Sequence, residues 1–318
     1  MTVRHPLAFP LGLVGMALLR GEAGEFPDEW VVHRIAEVRA LLAAYDAGDL
    51  GGGQPVGQTD TVTGYRIWSA TYHEFNPLIA VEQGPVRALI DRLPAGRALD
   101  AACGTGRWSA YLASRGHRVV GVDASPDMLD RARAKVATAT YTRAALTALP
   151  LPDDAVDLVV CALALPHVPD LRPVFAEFAR VLRPGGRVIT SDIHWQSLYL
   201  GGIASAVDGD AIQKRMPAGR YRPSDYLAAA LPLGLQVTAL QEPRWPPEVI
   251  GGGPVADRYA RAATVAAYEN TPAAIIWEFR LPGPWRPARQ RPAGTAAPRP
   301  TYRGPAPAVP RAAARAGG

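Results

Sequence analysis

The chain has 318 residues, 48% of them hydrophobic, enough to bury the core of an α/β domain of about 200–250 residues plus appendages without a disulfide or a metal. Its two cysteines, Cys103 and Cys161, lie in different segments with no Cys/His cluster around them, which argues against a zinc site or any other metal centre and for a reducing, cytoplasmic setting. The net charge of +5 comes from one end: eight of the 34 basic residues are arginines from Arg280 onward, where no acid occurs, and the remaining 26 basic against 29 acidic residues give −3, no footing for nucleic acid.

The chain opens on "MTVRHPLAFPLGLVGMALLR", an apolar run that ends on Arg20 without a small-x-small cleavage site. It is too short and too broken by Gly and Pro to span a bilayer, so it reads as a helix packed on the main domain. Residues 28–46 have helical periodicity, with Trp30, Val31, Ile35, Val38, Leu41 and Leu42 on one stripe. These helices make residues 1–48 an N-terminal extension that caps the core or forms a homodimer contact. Residues 49–62 are Gly-rich and read as a linker. A helical segment over 63–94 follows.

From Arg97 strands and helices alternate. Strands are expected at 97–102, 117–123, 139–144, 156–164 and 187–193, with helices at 106–115, from Ser125 to about Lys135, and over 171–186 ended by Pro-Gly-Gly. That alternation implies a doubly wound, mostly parallel sheet. Beyond Trp195 the pattern loosens: helices at 222–234 and 255–270, strands at 235–243 and 273–282. Residues 282–318 are Pro, Gly, Ala and Arg without periodicity and are expected to be a disordered, solvated tail.

The chemistry concentrates in "ALDAACGTGR" at 98–107. A P-loop would need a lysine after the glycines, and none follows. A dinucleotide fingerprint finds its first two glycines in Gly104 and Gly106 but Ser109 in the third place, with Asp123 at the end of the second strand. Asp100 weighs against a pyrophosphate, because an acid at the start of the loop repels phosphate and attracts a cation. A ligand with an ammonium group and a ribose but no phosphate suits this pair of acids. S-adenosylmethionine (SAM) has those parts.

Four segments in order strengthen that choice: "LDAACGTGR", "VVGVDASPDML", "LTALPLPDDAVDLVVCALALPHV" and "FARVLRPGGRVITSDIH". Together they resemble the class I SAM-dependent methyltransferases, of the type 11 and ubiquinone/menaquinone methyltransferase-like kind. The likeness runs over roughly residues 60–195 and more weakly to about 280. It implies a seven-stranded Rossmann-like methyltransferase fold with an N-terminal helical cap, residues 63–281 being the methyltransferase domain. It further implies that backbone near Ala102, Gly104 and Gly106 lies along the methionine part of SAM, with Asp100 anchoring the ammonium directly or through water. Asp123 would take the ribose hydroxyls, and Met128 and Leu146 would flank the adenine. "YRIWSATYH" resembles the family's lid helix, with Tyr65, Trp68 and Tyr72 on one face over the cofactor. Three positions depart from the family: Ala102 replaces its first loop glycine, Ala145 an aspartate that receives the adenine amine, and His73 an aspartate.

Methyl transfer rests largely on alignment and exclusion of water, and a phenol or enol acceptor also benefits from a base. His167 and His194 follow the fourth and fifth strands, at the end of the sheet where ligands bind, and Tyr72 lies on the lid. These are the candidate catalytic residues. Cys161, on a buried strand, reads as packing. The acceptor is expected to be a small, partly apolar molecule, possessing a pocket between the lid, 163–168, 192–202 and 205–225, where Pro166, Trp195, Leu198 and Tyr199 gather. Two rivals stand beside this reading: a SAM-binding protein that regulates or catalyses a non-methylating reaction, and a nicotinamide-dependent oxidoreductase.

Overall fold

The fold is drawn from a computed structural model that describes residues 2–68, 76–202, 204–208 and 212–283. In chain order the strands are β1 (Thr2–Arg4), β2 (Gln54–Gln58), β3 (Arg97–Ala101), β4 (Arg118–Asp123), β5 (Thr140–Arg143), β6 (Val156–Ala162), β7 (Leu182–Ile193), β8 (Ser205–Val207), β9 (Gln213–Arg215), β10 (Gln236–Gln241) and β11 (Ala274–Arg280). The helices are α1 (Ala8–Glu22), α2 (Asp28–Asp46), α3 (Thr61–Trp68), α4 (Pro77–Ile90), α5 (Arg107–Ser114), α6 (Pro126–Lys135), α7 (Leu171–Val181), α8 (Trp195–Tyr199), α9 (Pro223–Ala230), α10 (Gly253–Tyr259) and α11 (Arg261–Tyr268).

Seven strands form the central sheet in the order β10-β11-β7-β6-β3-β4-β5. Pairing from β7 across to β5 is parallel, and β11 runs antiparallel to both its neighbours. The chain starts at β3, steps outward to β5, then returns to β6 on the other side of β3. The switch point therefore lies between β3 and β6, where an open α/β sheet leaves a crevice at its carboxyl edge. The central strands are apolar because both faces are covered. Leu99, Val159, Phe175, Phe178 and Trp277 fill one side, while Val86, Leu89, Leu112, Val160 and Ile276 fill the other. Helix α7 ends at Val181, before the expected Pro-Gly-Gly stop. Pro184-Gly185-Gly186 lies inside β7, in the register shift between the Leu182–Val156 and Arg187–Leu158 pairs, with Gly185 at φ +86°.

The N-terminal extension is helical as expected, but its partner is the far end of the chain. Leu7, Val14, Ala17 and Leu41 pack with Ala260, between α10 and α11, and with Ala263 and Ala266 of α11. The face α2 buries follows the expected stripe only in part: Trp30, Val38 and Leu41 pack in this cluster. Ile35 and Leu42 are exposed, whereas Arg34 is buried beside Glu37 with its guanidinium 4.4 Å from the Trp30 ring centre. A charged side chain on the inner face is what hid this from apolar periodicity.

Residues 49–62 are more than a linker. Within them β2 joins a second, four-stranded sheet of order β1-β2-β9-β8, pairing antiparallel with β1 and parallel with β9. The helical segment over 63–94 is split: α4 starts anew at Asn76, whose side chain caps it by accepting from Leu78 N–H and Ile79 N–H. Tyr72, His73 and residues 284–318 of the tail lie outside the described residues.

Candidate active site

Two cavities open at the carboxyl edge of the sheet. The first, about 230 Å³, lies over the ends of β3, β4 and β6 and is lined by Ala102, Gly104, Asp123, Met128, Ala145, Leu146 and Val168, with Thr61, Val62 and Tyr65 of α3 above. The second, about 190 Å³, lies between α3, the start of α4 and the segment after β7. Trp68, Leu78, Ile79, Pro166, Ile193, Leu198 and Ala218 give it an apolar and aromatic wall. Tyr65, Leu163 and His167 belong to both.

The loop after β3 shows why its residues are small. Ala102, Gly104 and Gly106 all have positive φ, at +56°, +53° and +79°. Gly104 turns its N–H into Asp123 Oδ2 at 2.8 Å, and Ser125 N–H donates to Asp123 Oδ1 at 2.8 Å. Asp123 thus ties two loops together while still facing the cavity, and burial raises its carboxyl above the usual range. An ionised carboxylate has about four acceptor sites, so lone pairs remain for a ligand's hydroxyls. Ser125 caps α6, accepting from Met128 N–H, which brings the Met128 side chain to the cavity wall.

Two loop residues expected at the ligand sit behind it. Gly106 is the N-cap of α5. A Cβ there would come 3.1 Å from the Ala132 Cβ, so its glycine serves the contact with α6. Asp100 is fully buried and does not reach the cavity wall. Its Oδ2 accepts from Ser109 Oγ at 2.6 Å, and burial, partly offset by that bond, raises its carboxyl to about 6. The structure therefore places Asp100 under the loop, with Ser109 as its partner. Nearby, Glu82 of α4 accepts from Ser191 Oγ at 2.7 Å and pairs with Arg107 Nη2 at 2.6 Å, joining α4, β7 and the start of α5.

The two histidines separate. His167 faces both cavities from a short 3-10 turn, Leu165–His167. That turn is fixed from below by Asp192, whose Oδ1 accepts from Leu165 N–H at 3.1 Å while its Oδ2 accepts from Tyr226 Oη–H at 2.8 Å. His194 reaches neither cavity. It is the N-cap of α8, with Nδ1 accepting from Gln196 N–H and Nε2 3.1 Å from Glu242 Oε1. Both ring nitrogens thus have partners outside the two cavities. Trp195 and Tyr199 are likewise outside the second cavity, whereas Pro166 and Leu198 line it as expected.

Leu163 was missed by the sequence reading as a special residue. It follows β6 with φ +57°, held by its N–H to Ser191 O at 2.6 Å. A bulky side chain in this region costs energy, and here it forms the shared wall. Thr61 and Val62 were read as the end of a linker. They reach the cavity because Asp60 starts α3 there, accepting from Thr63 N–H.

Residues 99–190 match the sequence model of the methyltransferase-domain family of type 11. That match runs from β3 to β7 and covers less than a third of the chain. Over 118 residues the chain is 40% identical to the malonyl-[acyl-carrier protein] O-methyltransferase of Serratia marcescens, covering 37% of this chain and 46% of that protein. Over 151 residues it is 34% identical to the enzyme of the same name from Yersinia pestis, covering 46% and 55%. The chain thus spans about half the length of the relatives it matches. Among solved structures, a chain from the Haloferax volcanii complex containing the Trm112 methyltransferase activator aligns with 22% identity and a TM-score of 0.51, over 70% of this chain and 99% of that one, a likeness of fold. The methyltransferase domain's family cofactor, SAM, is compatible with the first cavity: a carboxylate for hydroxyls, a left-handed backbone turn for close approach, and an apolar end for a base.

Proposed function

We propose that this chain transfers a methyl group from SAM to a small, partly apolar acceptor. The observation that carries this reading is the pair of cavities sharing one wall at Tyr65, Leu163 and His167, at the switch point of the sheet. The first cavity is assigned to SAM, with Asp123 on the ribose hydroxyls and the backbone of Ala102 and Gly104 along the methionine part. Met128 and Leu146 flank the adenine, and Tyr65 covers the site. Asp100 and Gly106 hold the loop from behind. The side chain of Ala145 has no polar group to offer the adenine amine.

SAM supplies an electrophilic methyl group on a sulfonium. The chain's own contribution is to orient the acceptor in the second cavity and keep water from the shared wall. The relatives named above act on a malonyl group carried by a protein. The apolar and aromatic lining here suits a flatter, less charged acceptor. Two buried, unpaired cysteines suit a reducing cytoplasm. No helix among the described residues is long and apolar enough to cross a membrane.

Calorimetry with S-adenosylhomocysteine and with NAD tests the cofactor assignment. Saturable binding of the first is expected, and tight binding of NAD alone would overturn the reading. Asp123→Ala should weaken S-adenosylhomocysteine by about 10–100-fold, the worth of hydrogen bonds to a charged group. An unchanged affinity would refute the ribose assignment. Labelled SAM with a metabolite panel, read by mass spectrometry, then identifies the acceptor. Binding without transfer to any acceptor would favour a SAM-binding protein of other function.

A further inference from the structure

Two of the three residues on the shared wall are bonded to each other. Tyr65 Oη lies 3.0 Å from His167 Nε2, and the two rings meet edge-on at 87°. The other ring nitrogen, Nδ1, lies 2.7 Å from the Pro217 carbonyl oxygen. A carbonyl only accepts, so Nδ1 carries a proton, and Nε2 of the neutral ring accepts from the Tyr65 hydroxyl. Burial favours that neutral ring, holding His167 below the ordinary histidine value despite the Pro217 bond.

The geometry has the parts of an oriented base: a proton-accepting nitrogen, a group that fixes the ring, and a scaffold that fixes the group. Gly219 N–H donates to Pro166 O at 2.6 Å and Tyr221 Oη–H to Val168 O at 2.5 Å, so the segment carrying Pro217 is lashed to the turn carrying His167. The ionisable groups nearby are Tyr65 from α3, Asp123 across the cavity, Asp192 under the turn, Tyr221, and Asp170 at the start of α7. Burial raises the carboxyls of Asp123 and Asp192, which are tied to Gly104 and Ser125 and to Leu165 and Tyr226, and Asp170 is paired with Arg172.

We infer that Tyr65 and His167 form a two-residue proton relay that ionises the acceptor, and that the acceptor carries a phenol- or enol-type hydroxyl. This rests on the methyl-transfer reading above. The acceptor's proton passes to Tyr65 Oη as the Tyr65 proton passes to His167 Nε2, leaving an imidazolium. The acceptor oxygen bonds to the methyl carbon as the carbon–sulfur bond breaks, and the bonding pair stays on sulfur, giving the methyl ether and S-adenosylhomocysteine. The proton then leaves His167 for solvent. A carboxylic acid is already ionised at neutral pH and needs no relay, and an alcohol titrates far above tyrosine. A phenol titrates near the tyrosine value of about 10, so exchange through Tyr65 is nearly balanced.

The test uses the full chain, labelled SAM and two probe acceptors, phenol and para-nitrophenol, the latter ionised in mildly alkaline buffer. S-adenosylhomocysteine binding is measured for every variant, which separates a failure of the relay from a failure of the SAM reading. Tyr65→Phe and His167→Gln should still bind S-adenosylhomocysteine, yet lose about 100-fold or more in kcat with phenol and less than about tenfold with para-nitrophenol. The wild type should show kcat/KM for phenol rising with pH through a limb below about 6.5, absent from His167→Gln. Equal losses with both phenols, a limb that survives in His167→Gln, or no methylation of either phenol by a chain that binds S-adenosylhomocysteine would overturn the relay. A chain that binds no S-adenosylhomocysteine would overturn the SAM reading itself.

Discussion

Replacing Asp100 with asparagine should change how stability depends on pH. Asp100 is 1% exposed, and burial raises its carboxyl to about 6 although Ser109 donates to it. An unfolded aspartate titrates near 3.9, so the gap is about 2 units, or about 3 kcal/mol at 1.36 kcal/mol per unit. The folded value is the higher one. The native state therefore holds its proton longer than the unfolded state, and stability falls as pH rises from the unfolded value through the folded one. About half of the loss occurs below pH 5, which leaves roughly 1.4 kcal/mol between pH 5 and pH 8. Asparagine has no such titration, whatever its amide costs at Ser109. Urea unfolding of both proteins at several pH values measures the difference. The wild type should lose about 1.4 kcal/mol relative to Asp100→Asn across that window, with an unchanged slope in urea. Parallel curves would show that Asp100 ionises as freely inside the fold as outside it, and the reasoning about its burial would fail.

Ala102→Gly removes a methyl group from a residue at φ +56°. Relief of about 1–2 kcal/mol of left-handed strain, less about 0.4–1 kcal/mol of unfolded-chain entropy, should raise stability by roughly 0.5–1 kcal/mol in thermal or urea melts; a loss would mean the methyl contact outweighs the strain. His194→Ala should cost about 1 kcal/mol in urea unfolding, as a lost cap, while methyl transfer stays within about threefold of wild type. A hundredfold loss of transfer with stability intact would return His194 to the active site.

The sheet was legible because buried parallel strands write themselves as runs such as "VDLVVCA", and because the cap at Ser125 uses a residue chosen for that task. Asp123 and Met128 were legible because one strand end and one cap determine where they face, whereas Leu146 followed from the family resemblance alone. Asp100 was readable as unusual but not as buried. Its partner, Ser109, is nine residues on, and its depth is set by the helix packed over it. His167 and His194 look equivalent in sequence, each just past a strand. Only the positions of Pro217 and Glu242, both about 50 residues away, separate a ring that faces the cavities from one that ties down a helix. The small sheet was illegible for a related reason. Strands of three to five residues carry too few alternations to show a period, and their pairing joins segments that no local pattern connects.

That small sheet has a mechanical consequence. β2 runs almost directly into α3, which carries Tyr65, and β9 ends two residues before Pro217. The two strands are hydrogen-bonded in parallel register, the pairing continues through Thr59 N–H to Arg215 O at 3.0 Å, and Gly64 of α3 lies so close to Met216 that a Cβ would come within 2.5 Å of it. The Tyr65 phenol over the first cavity and the Pro217 carbonyl beside the imidazole thus both hang from one pair of strands. One set of strand-to-strand hydrogen bonds therefore sets both where the phenol stands and where the imidazole's partner stands.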